Sequence, residues 1–327
     1  MPRWLAIPLL LLLIGCADPD TPNHPDDSST FVFEVPQGAS ARAIGPALQK
    51  AGLVSSQWKW KLYLHRNPDE AACLKAGKFR LEHDMSVRQA MAAMCGVPLS
   101  EDVSFTVVEG WRIRDIDAAL AAQGLIEPGA YQALADSESL ELPFPIDSPS
   151  LEGYLYPETY EVPPPGHFDC EAFIERQLHE FDTLFRQPHA DDFGKHSLKD
   201  VVIVASMVER EEGNPAERPV VAGILWKRLD HGWQLGVDAT SRYSLAEWND
   251  RKAFLKKLRD PDDPYNTRLN KGLPPTAIGN PSLSSLEAAL KPVDSDYWYY
   301  LHDKDGVLHG ARTSAEHEAN RKKYDVY

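Results

Sequence analysis

VVIVASMVEREEGNPAERPVVAGILWKRL, residues 201–229, decides how this chain is read. An apolar run from Val201 to Val208 ends in Glu209, Arg210, Glu211 and Glu212, and Gly213, Asn214 and Pro215 then break it. The spacing predicts a buried helix over 198–212, opened by Ser197 and Asp200 at capping-box separation. A second helix is expected to open at Asn214-Pro215 and run to Leu229, with Asn214 as its cap and Glu217 at its third position. On a helix, a side chain lies over the residues three and four before it. Glu211 therefore lies over Val208 and Met207, Glu209 over Ser206 and Ala205, and Glu212 over Glu209 and Val208. Apolar surroundings disfavour an ionised carboxyl. A carboxyl poised near neutral pH can first donate and then accept a proton. Glu211 is thus the candidate acid of the cluster, and a solvated helix end is the plain alternative.

Downstream, Ser284 and Glu287 are expected to open another helix. YWYYL (297–301), a DKDG turn and VLHGAR (307–312) read as a β-hairpin. Thr313 and Glu316 then cap a C-terminal helix. Upstream, an internal repeat stands at an offset of 72 residues: FEVPQGASARAIGPALQKAGLV (33–54) and FTVVEGWRIRDIDAALAAQGLI (105–126). Each copy reads as a short strand, a glycine turn and an amphipathic helix stopped by glycine. FRLEHDMSVRQAMAAMCG (79–96) between them is a further strand–turn–helix. SLELPFPIDSPS (139–150) has the composition of a boundary. The expected organisation is an α/β positioning domain over 30–148 and a second domain over 150–327.

The N-terminal MPRWLAIPLLLLLIGC carries one basic residue and an apolar run of about a dozen residues. That is short for a membrane span, which needs about 20, and it suits an export signal. Leu13-Ile14-Gly15-Cys16 resembles a bacterial lipobox, which would place a lipid on Cys16. Residues 17–29 then read as a polar tether. Cys73 and Cys95 lie close enough in sequence to pair, leaving Cys170 free, but spacing alone does not decide it. No Cys/His cluster has zinc spacing, so no metal or other cofactor is expected. A net charge of −15 argues against a broad nucleic-acid surface.

Five blocks are similar to the endolytic murein transglycosylases, the YceG-like family, and they come in that family's order. They are EGYLYPETY (152–160), ASMVEREEGNPAERPVVAGILWKRL (205–229), LGVDATSRY (235–243), YNTRLNKGLPPTAIGNPSLSSLEAAL (265–290) and HGARTSAEHEANRKKY (309–324). Together they cover most of 150–327, and the region before them resembles the family's LysM-like portion. The resemblance implies an α+β fold, with a small LysM-like domain of βα units followed by a catalytic domain of helices and a C-terminal hairpin. It implies a lyase that cuts nascent glycan strands between N-acetylmuramic acid and N-acetylglucosamine, leaves 1,6-anhydro ends and so limits strand length.

Under this resemblance Glu211 is the catalytic acid and Glu217 a second acid with Arg218 orienting. Asp238, Thr240, Tyr243, Tyr265, Asn266 and the turn at 272–275 would line the groove. Tyr154 and Tyr156 offer either sugar-stacking faces or core packing. The implied partners are glycan strands, the membrane through the N-terminus, and peptidoglycan synthases. The implied location is the cell envelope, facing the periplasm from the inner membrane or anchored at Cys16. The chain departs from the family pattern at Gly236 and Val237, where polar side chains are usual. Two other functions stay open: a hydrolytic muramidase using a second carboxylate and water, and a non-catalytic glycan-binding lipoprotein.

Overall fold

The computed structural model describes residues 20–137 and 139–326. The expected export signal and lipobox, and the first residues of the tether, lie outside them. The chain divides into two compact units, Met1–Glu101 and Asp102–Tyr327. That division differs from the expected boundary at 148–150, and strand pairing supplies the reason.

In the first unit, β1 (Thr30–Val35) is followed by α1 (Gly45–Lys50), α2 (Gln57–Arg66), α3 (Pro68–Ala72), β2 (Gly77–Glu82) and α4 (Val87–Cys95). β1 pairs antiparallel with β2, setting Phe33 opposite Phe79. The inward residues Phe33, Val35, Phe79 and Leu81 alternate with exposed ones, as one face of a two-stranded sheet requires. They close on Leu48, Trp60 and Met91 in a core of this unit's own. Ser86 caps α4 in a full capping box with Gln89. Cys73 and Cys95 form a disulfide, and Cys170 is free.

The second unit begins with the second copy of the repeat, β3 (Val103–Thr106) and α5 (Ile113–Ala122). In both copies a glycine with positive φ stops the helix, Gly52 at +80° and Gly124 at +70°. The next leucine amide returns to the helix, Leu53 to Leu48 and Leu125 to Leu120, each at 3.1 Å. The two copies find different partners, however. After α6 (Ala130–Ala135) comes β4 (Thr159–Val162), and β3 pairs antiparallel with it, Phe105 opposite Tyr160. The second copy therefore buries Phe105, Val107, Ile116 and Leu120 in the core of the second unit.

That core is built around α8 (Leu198–Glu211), reached through α7 (Cys170–Phe181) and a π-helical turn at Asp182–Arg186. Ser197 and Asp200 form the expected capping box, and Val201 to Val208 are all buried. α9 (Arg218–Asp230), α10 (Asp238–Arg242), α11 (Arg251–Lys257) and α12 (Leu283–Leu290) follow. α9 and α12 pack against α8, and α10 also touches it. The hairpin β5 (Tyr299–His302) and β6 (Leu308–Ala311) and the helix α13 (Ser314–Lys323) end the chain. Thr313 caps α13 through the amide of Glu316. The α+β class holds, with three two-stranded sheets among the described residues. No described helix is long and apolar enough to cross a membrane.

Two helix starts differ from expectation. α9 opens at Arg218 with Glu217 at its N-cap, because Asn214 closes a local turn onto the Ala216 amide at 3.1 Å instead of capping the helix. α12 is capped by Ser282, two residues earlier than expected, because its hydroxyl reaches the Ser285 amide.

Candidate active site

α8 delivers its last residue, Glu211, to the edge of the core, after which Glu212 turns the chain into extended backbone. Glu211 as a residue is half-buried. Burial pushes its pKa above the usual carboxylate range, and a hydrogen bond from Tyr300 partly offsets this. The Tyr300 hydroxyl donates to Oε2 at 2.9 Å. Nearby Asp238 also disfavours the charged form, whereas His302 and Arg228 favour it. Arg228 comes from α9 and is locked by its own bonds, Nε to the Trp298 carbonyl at 2.9 Å and Nη1 to the Leu235 carbonyl. Its guanidinium lies 5.8 Å from each of the Tyr299 and Tyr300 rings. Asp238 opens α10 and is ion-paired with Arg268. One carboxyl is thus held between a phenol and arginines, with an aspartate nearby.

Its two acidic neighbours are spent on structure. Glu209 is buried and accepts from Arg218 Nη2 at 3.0 Å, the Ser282 amide at 2.9 Å and the Ser282 hydroxyl at 2.5 Å. Glu212 is buried, accepts from the Asn214 amide at 2.7 Å and contacts His302 Nε2 at 2.9 Å. The helical-face argument therefore singles out the carboxyl that keeps an unengaged oxygen.

The other expected groove residues divide. Asp238, Tyr243 and Tyr265 are partly exposed, and the rings of Tyr243 and Tyr265 lie 4.7 Å apart. Three others are buried. Arg218 is buried, and its guanidinium is used by the Glu212 carbonyl, Ser282 and Glu209. Thr240 is fully buried and bonds the Val237 carbonyl and Thr267. Asn266 is fully buried, and its amide nitrogen bridges the carbonyls of Lys257 and Asp260. The family resemblance placed each of them at the groove. In the fold each satisfies buried backbone or side-chain groups. Glu217 makes no side-chain bond to its helix. Tyr154 and Tyr156 are core residues, Tyr154 packing edge-on against Phe181 at 5.4 Å. Val237 is buried too, so its departure from the family pattern lies in the core, and Gly236 sits at φ +67° beside Arg228.

Sequence reasoning missed four members. Tyr300, Arg228 and Arg268 surround Glu211. Glu152, 2% exposed, receives the Tyr243 hydroxyl at 3.0 Å and the Ile113 amide at 3.1 Å, and burial pushes its pKa up to about 8. The visible signal for Glu152 was a charged residue at the head of the apolar, tyrosine-rich run LEGYLYP. Nothing local marked Tyr300 among the aromatics of 297–300. Among the described residues no His/Cys/Asp/Glu group is arranged to hold a metal.

The chain is similar to proteins of known name. It is 28% identical over 320 residues to the endolytic murein transglycosylase of Bacillus subtilis (strain 168), covering 93% of this chain and 87% of that protein. It is 25% identical over 317 residues to the endolytic murein transglycosylase of Streptococcus pneumoniae (strain D39), covering 88% of this chain but 57% of that longer protein. A crystal structure of a YceG-like protein from Listeria monocytogenes superimposes with a TM-score of 0.59 at 27% identity, covering 90% of this chain and 99% of that one. The YceG-like family pattern matches residues 33–323, nearly the whole described chain, and the protein belongs to that family.

Proposed function

We propose that this protein is an endolytic peptidoglycan lytic transglycosylase with Glu211 as its acid–base residue. The observation that carries this reading is the Glu211 carboxyl, raised in pKa by burial and fixed through one oxygen, at the end of the central helix of a YceG-like chain. Such a carboxyl holds its proton to higher pH than an exposed one and can deliver it to the glycosidic oxygen as the bond to muramic C1 breaks. The muramic 6-hydroxyl then attacks C1 and gives its proton to the same carboxylate. One glycosidic bond is exchanged for an intramolecular one, the 1,6-anhydro acetal, and Glu211 regains its proton. The nucleophile belongs to the substrate, so no second carboxylate is needed to activate water, unlike the paired-carboxylate hydrolases. The surroundings favour this over a muramidase, since Asp238 is committed to Arg268 and Glu217 lies beyond the turn that follows Glu212. Tyr243, Tyr265 and Asp238 are the candidate strand contacts.

By the same reading, the first unit with its βα units is a LysM-like module that helps hold the strand. The chain is anchored at the membrane through its N-terminus, at Cys16 if the lipobox is used, and faces the periplasm beside the synthases that supply its substrate. Cleavage there limits strand length. The test is incubation of the full chain in detergent with uncrosslinked glycan polymer, beside Glu211→Gln, with mass spectrometry of the chain ends. Anhydro-muramyl ends from the parent and none from the variant are expected. Reducing ends would move the reading to a muramidase, and binding without cleavage to a glycan-binding lipoprotein.

A further inference from the structure

We propose that Tyr300 is a positioning residue for Glu211: it commits Oε2 to a fixed hydrogen bond and leaves Oε1 as the oxygen that exchanges protons with the substrate. The proposal rests on reading Glu211 as the acid–base residue. Glu211 is the last residue of α8, so no further helical turn constrains its side chain. The constraint comes from 89 residues downstream, where the hairpin brings the Tyr300 hydroxyl to 2.9 Å from Oε2. Strand alternation puts Tyr300 and His302 on one face of β5. Together they take the consecutive carboxyls Glu211 and Glu212, each at 2.9 Å. Arg228 lies close to the Tyr300 ring and is itself fixed by two carbonyls, so the phenol has little freedom to leave.

This bond also sets the charge balance. Burial, Asp238 of α10 and the negative end of α8 all oppose ionisation of Glu211. Arg228 of α9, His302 of β5 and Arg268 from the loop before α12 favour it. Tyr300 acts on the same side without carrying charge. Burial pushes its own pKa well above the usual phenol value, so it remains a donor across the working pH range. Without it the carboxyl would keep its proton to higher pH, a weaker acid for the first proton transfer, and would sample more than one rotamer, so that both transfers are less well aimed.

The test is Tyr300→Phe in the full chain in detergent, which keeps the ring and removes one oxygen. The Glu211 carboxyl is titrated by carbon-13 NMR, with Glu211→Gln identifying its resonance, and cleavage of uncrosslinked glycan is measured against pH. The expected result is a higher Glu211 midpoint, an upward shift of the alkaline limb of the rate profile, and a kcat lowered about tenfold with KM little changed. An unchanged midpoint overturns the proposal, whether kcat is unchanged or stability alone falls, because a purely structural tyrosine would leave the titration where it was. The NMR measurement needs no turnover, so it decides the role of Tyr300 even if the parent cleaves nothing, which would sink the transglycosylase reading instead.

Discussion

Glu152→Gln should make the second unit more stable, and increasingly so as pH rises. Glu152 is 2% exposed, and its pKa rises from 4.5 to about 8 because burial opposes the charge. An acid whose folded pKa lies above its unfolded value contributes its full share below the unfolded pKa, here pH 4.5. That share is lost as pH climbs to the folded value near 8. Between those limits the unfolded state releases a proton that the folded state retains, so the parent loses about 1.4 kcal/mol per pH unit. The whole window amounts to about 4–5 kcal/mol, a large part of a typical domain's stability. Glutamine copies the protonated shape and still accepts from Ile113 and Tyr243, but has no charge to gain. Urea unfolding from pH 5 to 8.5 measures the effect. Tryptophan fluorescence suits it, because Trp111, Trp226, Trp233, Trp248 and Trp298, five of eight tryptophans, lie in the second unit. The difference between variant and parent should grow with pH at about that slope and flatten above 8. A difference that stays flat across the window would mean that Glu152 is ionised in the fold and would refute the reasoning.

Two further outcomes follow from other contacts. Arg218→Met should lower the stability of the second unit by about 3–5 kcal/mol, since it strands the buried Glu209 carboxylate, and urea unfolding at neutral pH reads this. Restoring neutrality with Glu209→Gln in the same chain should return part of the loss. Replacing Cys73 and Cys95 with serine opens a link across 22 residues of sequence. It should cost the first unit about 3 kcal/mol, visible as earlier loss of the fluorescence of Trp58 and Trp60, with the unfolding of the second unit unchanged.

What could be read from the sequence was local. The box at Ser197–Asp200, the Thr313 cap, the hairpin near 297–312 and both glycine stops of the repeat depend on residues within a few positions of one another. The apolar setting of Glu211 was local in the same way, since Met207 and Val208 are its own helical neighbours. The unit boundary was not, because it depends on Val103–Thr106 choosing Thr159–Val162 as partner, across more than fifty residues. Thr240 and Asn266 carry the same polar signal as groove residues, and only the carbonyls they meet in the fold distinguish a buried bracket from a substrate contact. Tyr300 is one aromatic among several in its stretch until the hairpin aims it at α8.

The long reach between Tyr300 and Glu211 bears on when the protein acquires its chemistry. α8 can coil as soon as residue 211 exists, and α9 can follow it, but the carboxyl has no phenol beside it until the chain has grown past residue 300. Contacts of such separation form late, after shorter-range pieces have paid their ordering cost. A growing chain would therefore carry Glu211 without the hydroxyl that holds its Oε2. The bond between Tyr300 and Glu211 is thus among the last contacts of the second unit to form.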